Sequence, residues 1–220
     1  MYPSSKNEKK GIICVTLTNN NGTNKNDEKS VFDKERNQYM KATGIVRRID
    51  DLGRVVIPKE IRRTMRIREG DPLEIFTDRD GEVIFKKYSP IGELTAFAAQ
   101  YAETLHKTCE LSVVICDRDS VVACAGVSKK EYAEKRLSDA LEHLMEKRSL
   151  YTLRSGDEKI GALADGASHY VTCAMPIVSE GDIVGCVASL APADTDRLPE
   201  ATEQKLIQTA ASFLGRQLES

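Results

Sequence analysis

The densest chemistry in this chain is cationic. Between Lys41 and Arg68, nine basic side chains, seven of them arginines, stand against Asp50, Asp51 and Glu60 alone. A guanidinium is planar, donates two parallel hydrogen bonds and holds its water less tightly than an ammonium group. An arginine-rich block therefore favours contact with phosphate and makes a nucleic acid the expected partner. The side chains singled out are Arg47, Arg48, Arg54, Arg62 and Arg63. The plainer alternative is that single arginines pair with Asp50, Asp51 or Glu60 on a solvated surface.

Other reactive residues are present without the spacing that catalysis or metal binding needs. Six cysteines include no CxxC pair, and HExxH, GxGxxG and GxxxxGK[ST] are absent. That argues against a zinc ribbon, a dinucleotide-binding turn and a phosphate-binding loop of the ATPase kind. His106, His143 and His169 are widely separated, and no Ser/His/Asp triad or carboxylate pair stands out. Cys116, Cys124, Cys173 and Cys186 fall in apolar, strand-like runs, where a thiol behaves as a small inert hydrophobe. No catalytic residue, metal ligand or cofactor is expected, and the protein reads as a non-enzyme.

The elements that carry these residues follow from charge and periodicity. The 220 residues carry a net charge of -2, but residues 40–90 are basic and residues 91–220 hold 20 acidic against 13 basic side chains. A basic nucleic-acid-facing module followed by an acidic module of another kind is the simplest division. No apolar run approaches a membrane span, and Ile12-Ile13-Cys14-Val15 is too short for a secretory h-region. A cytoplasmic protein with reduced thiols follows.

Residues 1–39 are polar and rich in Asn and Lys, with one strand-like piece at 11–18 that has no evident partner. They are expected to be a largely disordered leader or extension, with Met40 as the native start. Residues 40–90 read as a strand at 43–49, a turn at 50–53, and a strand at 54–57. Pro58 then stands at the first helical position of 59–65, and a hairpin of 73–77 and 82–87 closes about 78–81. In strand 43–49, Arg47 and Arg48 would face opposite sides. About 50 residues form a marginal core, and with no metal or disulfide the remaining device is oligomerisation, which points to an intertwined dimer.

Residues 91–220 read as αββααβββα. A helix from 90 to about 107 leads into a hairpin of 111–117 and 120–125, then helices at 129–136 and 138–148. Strands at 151–154, 170–178 and 183–190 follow, and a last helix spans about 199–218. The overall class is α+β. The stripes of the first and last helices cover the sheet and could also pair copies of the chain into a tetramer.

The string from Met40 to Met65, and above all Leu52-Gly-Arg-Val-Val-Ile-Pro58, resembles the signature of the AbrB-type transition-state regulators. The likeness covers Met40 to about Tyr88. It implies a swapped-hairpin β-barrel in which two chains form one unit that binds double-stranded DNA. Its DNA-contacting arginines fall on Arg47, Arg54, Arg62 and Arg63, and Arg48 stands where relatives also carry a basic residue. Cys173-Ala-Met-Pro-Ile-Val178 followed by Gly181-Asp-Ile-Val-Gly-Cys-Val187 resembles a GAF sensory domain over roughly 91–220. That implies an effector pocket, an oligomerisation unit, or both. The Asn-Lys-x-Asp-Glu motif of cyclic-nucleotide-binding members is absent, as is the Cys/His context of bilin-binding ones. Tyr132, Arg154, Ser168 and His169 are the candidate contacts for a small-molecule effector.

The two resemblances together imply a transcription regulator of sporulation, activating or repressing genes of the forespore. The domains are then 1–39, 40–90 and 91–220. Two other readings stay open. Some GAF-fold proteins reduce methionine sulfoxide with clustered cysteines, which needs an accessible thiolate of low pKa. An antitoxin-like interaction protein would also carry an AbrB-type head, though such proteins typically have short disordered tails in place of a large folded module.

Overall fold

The computed structural model describes residues 12–16, 44–77, 82–166 and 168–219. It divides into two compact units, Met1–Tyr88 and Ser89–Ser220. The mixture of helices and antiparallel sheets is the expected α+β class.

The first unit contains a three-stranded antiparallel sheet in the order β1-β3-β2, with β1 at Ile12–Thr16, β2 at Leu73–Thr77 and β3 at Glu82–Lys87. The hairpin register, Leu73↔Lys87 through Thr77↔Val83, is the one the alternation of residues suggests. Its connecting turn at 78–81 lies outside the described residues. The strand-like piece near the N-terminus does have a partner: β1 pairs with β3 from Ile12↔Lys86 to Thr16↔Glu82. A hairpin leaves an unpaired backbone edge on each side, and β1 fills one of them. The disorder expected for the rest of 1–39 lies outside the described residues.

Two expected strands do not form. Residues 44–49 and 54–57 belong to none of the sheets that the described residues form. β-branched residues favour a strand only where a neighbouring edge pairs with them. Helix α1, Lys59–Thr64, follows Pro58, which caps it from just outside rather than taking its first position. Ile61 and Met65 are half-buried on one side of this helix, and Ile67 is buried just beyond. Lys87 ties β3 to this corner through a 2.9 Å bond to the Arg66 carbonyl and a 3.2 Å ion pair with Asp71.

The second unit is built on a five-stranded antiparallel sheet in the order β5-β4-β8-β7-β6. Its strands are β4 Ser112–Cys116, β5 Val121–Ala125, β6 Tyr151–Thr152, β7 His169–Ser179 and β8 Asp182–Pro192. The long hairpin of β7 and β8 is its spine. One face packs against α3, Thr95–Cys109, and α6, Ala201–Gln217, through Ala98, Ala102, Leu105, Ile207, Ala210 and Leu214. The other face packs against α4, Lys129–Tyr132, and α5, Asp139–Glu146, through Tyr132, Leu137, Leu141 and Leu144.

The differences from the sequence reading are local. The first helix is broken at Leu94 into α2, Pro90–Glu93, and α3. Ser89 caps α2 by accepting from Gly92 N, and Leu94 serves as the C-cap of one helix and the N-cap of the next. The helix expected at 129–136 stops after one turn, because 133–137 binds the start of β5 instead. Glu134 takes φ 59°, its N–H donates to the Val121 carbonyl, and Val121 N–H donates to that of Lys135.

Candidate nucleic-acid interface and effector module

The arginines of the first unit are held by short, local devices. Asp50 organises the turn before Arg54. Its Oδ1 accepts from the N–H groups of Leu52 at 3.0 Å and Arg54 at 2.8 Å, and its Oδ2 takes the Arg54 Nε at 2.9 Å. Gly53 closes the turn with φ 75°, a conformation that strains any side chain with a Cβ. The backbone bond from Arg54, and then its guanidinium, hold the Asp50 carboxyl below its ordinary value. Arg62 and Arg63 lie in the last turn of α1, about 100° apart, and both are exposed. Arg47 and Arg48 are exposed on the extended piece before the turn. Because that piece is not a strand in a sheet, no alternation forces the two to opposite sides.

Among the described residues, the ion-pairing alternative applies to one of the five candidate arginines. Arg54 pairs with Asp50 at 2.9 Å. Among the described residues, the guanidinium groups of Arg47, Arg48, Arg62 and Arg63 have no acidic partner. Four cations left open to solvent keep their full hydrogen-bonding capacity for an outside anion. The same unit exposes apolar side chains that a soluble protein ordinarily covers. Val46 is 86% exposed, Leu52 73%, Val56 68% and Ile75 61%.

In the second unit the four candidate effector contacts do not form one site. Tyr132, Ser168 and His169 come together. The Tyr132 and His169 rings meet edge to face at 5.9 Å, and Ser168 Oγ lies 2.8 Å from His169 Nδ1. Glu131, which the sequence reading missed, organises this cluster. Its Oε1 accepts from Ser168 N at 2.7 Å and its Oε2 from Ser168 Oγ at 3.0 Å. These bonds hold its carboxyl below the ordinary value. Burial pushes the Tyr132 phenol up to about 12. Arg154 stands elsewhere, in a cleft with Lys159, Tyr170 and Arg197. The alternation of β7 separates the groups, since neighbouring residues His169 and Tyr170 point to opposite faces.

The strand cysteines of the second unit are core residues. Cys116, Cys124, Cys173 and Cys186 are buried, and Cys109 is partly accessible. Cys116 and Cys186 are direct cross-strand partners. The Cys186 thiol beside it and burial push the Cys116 thiol up, and burial pushes that of Cys173 up to about 12. No group of three metal-ligating side chains occurs among the described residues, and none of their helices is long and apolar enough to cross a membrane.

A head of solvent-facing arginines joined to a sheet-and-helix module with a separate core has the organisation of a transcription factor. Residues 93–219 match the family model described as stage V sporulation protein T C-terminal, transcription factor, and residues 46–92 match that of the antidote-toxin recognition MazE, bacterial antitoxin. Stage V sporulation protein T of Bacillus subtilis (strain 168) is 54% identical over 182 residues, covering 82% of this chain and 99% of that protein. The chain belongs to the stage V sporulation protein T family. The transition state regulatory protein AbrB of the same organism is 41% identical over 108 residues, 48% of this chain and 95% of that protein. Among solved structures, the GAF domain of a phosphoenolpyruvate-protein phosphotransferase from Coxiella burnetii is 16% identical, covers 57% of this chain and 82% of its own, and has a TM-score of 0.43.

Proposed function

We propose that this protein binds double-stranded DNA through Arg47, Arg48, Arg54, Arg62 and Arg63. In this reading it regulates transcription during sporulation in the cytoplasm, with residues 40–90 as the DNA-binding domain and residues 91–220 as a GAF-like module for effector sensing and assembly. The observation that carries the reading is the set of four exposed guanidinium groups without acidic partners among the described residues, in a chain whose 108-residue match to AbrB is 41% identical.

The exposed Val46, Leu52, Val56 and Ile75 support an intertwined dimer, because a second chain exchanging hairpins would cover them. A two-fold pair doubles the arginine set along one duplex. A second contact between copies has its own support in Phe97, Tyr101 and Phe213, which cluster across α3 and α6 with centroids 5.7–6.4 Å apart. Phe213 is 40% exposed. Pairing of these helices would join two dimers into a tetramer.

The test is duplex binding by the full chain over a salt series, beside Arg62→Ala/Arg63→Ala. Neutralising about 6–8 phosphates gives a slope of log K against log[salt] of roughly -5 to -7, and the double variant should flatten it by about 3.6 if two arginines are lost from each protomer of a dimer. No DNA binding by a folded oligomer would overturn the reading. Light scattering settles the assembly in the same samples: the tetramer reading expects a fall to the dimer mass in Phe213→Glu and fails if the parent is already a dimer.

A further inference from the structure

Among the described residues, Arg54 alone of the five candidate arginines has an acidic partner. Asp50 and Arg54 close the turn between them from both ends. Asp50 N donates to the Arg54 carbonyl at 3.0 Å, and Gly53 N donates to the Asp50 carbonyl at 2.9 Å. One carboxylate oxygen, Asp50 Oδ1, accepts from the amides of Leu52 and Arg54. That oxygen is all the turn requires of the side chain, and an asparagine supplies it equally well. The second oxygen, Oδ2, is committed to Arg54 Nε at 2.9 Å. A carboxylate is needed at this position for the guanidinium, not for the turn.

That carboxylate changes what Arg54 can recognise. Arg47, Arg48, Arg62 and Arg63 each bring an uncompensated positive charge to the surface, which suits a phosphate. Arg54 and Asp50 together bring none, and the carboxylate offsets much of the pull of the guanidinium on an anion. A neutral ligand is indifferent to that loss. With Nε spent on Asp50, the terminal nitrogens Nη1 and Nη2 are left as a fork of two parallel donors. The bond at Nε sets the direction of the fork, yet the Arg54 side chain stays 69% exposed. A fork held in this way gives up less freedom on binding than a loose arginine does. In duplex DNA the uncharged base edge with two adjacent acceptors is that of guanine, O6 and N7, in the major groove. Adenine and cytosine each present a donor there, and thymine a single acceptor.

We propose that Asp50 is a positioning residue that aims Arg54 at a guanine in the major groove, so that Arg54 reads sequence while Arg47, Arg48, Arg62 and Arg63 hold phosphates. The proposal rests on the reading of residues 40–90 as a DNA-binding domain and assigns its specificity to one arginine. It gives an acid within the basic head a purpose. The acid lowers affinity for every duplex and adds preference for one kind.

The test starts by selecting the duplex that the full chain prefers from a pool of random sequences. Each guanine of that duplex is then replaced in turn by 7-deazaguanine, which lacks the N7 acceptor. At one guanine or more the replacement should weaken binding by the parent at least about fivefold. Arg54→Ala removes the fork and should bind the duplex and its 7-deaza form within about twofold of each other. Asp50→Asn keeps an oxygen for the amides of Leu52 and Arg54 but gives up the carboxylate. It should keep the parent's melting temperature, since an exposed ion pair contributes little to stability. It should bind an unselected duplex more tightly, with a salt slope steeper by up to about 1.8 in a dimer. Its preference for the selected duplex over the 7-deaza form should fall to within about twofold. A purely structural Asp50 would instead lower the melting temperature and weaken all duplexes alike. That result, a parent indifferent to 7-deazaguanine at every position, or full guanine dependence in Arg54→Ala or Asp50→Asn would each overturn the proposal. All of these leave DNA binding itself standing, whereas a folded parent that binds no duplex overturns the regulator reading.

Discussion

Thr172 in the middle of β7 donates a 2.7 Å hydrogen bond to Oε1 of Glu203 on α6, inside a core where Glu203 is only 3% exposed. Thr172 has one proton and gives it to the carboxylate, so Ser189, 2.9 Å from Thr172 Oγ1, acts as donor to it. Arg197 Nη2 neutralises the other carboxylate oxygen. A buried charge is costly unless paired and hydrogen-bonded, and here both conditions hold. The network pins the first turn of α6 to the central hairpin.

Glu203→Ala leaves the Thr172 hydroxyl without its acceptor and Arg197 without its partner. It should lower the unfolding free energy by about 2–4 kcal/mol. Glu203→Gln keeps an acceptor for Thr172 and should lose about half as much. Urea unfolding midpoints check both. An unchanged midpoint in Glu203→Ala would show that the network contributes nothing to stability.

Two glycines allow close approaches that no other residue permits. A Cβ on Gly215 of α6 would lie 2.3 Å from the Val178 carbonyl oxygen, and one on Gly185 of β8 would lie 2.0 Å from that of Cys116. Alanine favours a helix by about 1 kcal/mol over glycine. At Gly215 the clash with backbone should outweigh that gain and cost about 1–3 kcal/mol. Gly185→Ala should cost as much or more, because both partners are strands of one sheet. Gly161, whose Cβ would meet nothing within 4 Å, is the control and should tolerate alanine. Thermal unfolding of the three variants gives the order.

The thiols supply a chemical test of the enzyme alternative. A peroxide- or sulfoxide-reducing cysteine needs an accessible thiolate. Cys116, Cys173 and Cys186 are fully buried, and Cys116 and Cys173 have raised pKa values. Iodoacetamide at pH 8, followed by peptide mapping, should label Cys109 and leave these three unmodified until denaturant is added. Rapid labelling of Cys173 in the native protein would revive the thiol chemistry. The same shift makes a pH prediction. The folded state keeps the Cys173 thiol protonated to about 12 against an ordinary 9.0. Its contribution is therefore complete below pH 9 and is lost as pH rises from 9 toward 12. Cys173→Ala should flatten that alkaline limb.

The parts legible in the sequence are those set by neighbours along the chain. Alternating residues predict the hairpin Leu73–Thr77/Glu82–Lys87, and helical spacing of Leu206, Ala210, Leu214 and Leu218 predicts α6. The arginine block is likewise a matter of composition, and its solvent exposure follows from charge. The string from Leu52 to Pro58 carries the family likeness without any knowledge of the fold.

Tertiary structure decided the rest, because the deciding contacts lie far apart in sequence. Residues 133–137 leave the helical path because the edge of Val121 offers them backbone hydrogen bonds. Residues 44–49 have strand propensity but join no sheet among the described residues, whereas Ile12–Thr16 found the free side of β3. Arg154 and Tyr132 are both polar candidates, yet the pleat of β7 and the loop after β6 put them in different places. Nothing in its sequence neighbourhood marks Glu203 for burial, and the approach of Thr172, 31 residues away, and Arg197 makes it a buried anchor. Periodicity shows which side of an element is apolar. It carries no information about which distant edge, hydroxyl or charge that side will meet, and those meetings set the burial, the pairing and the pKa of each group.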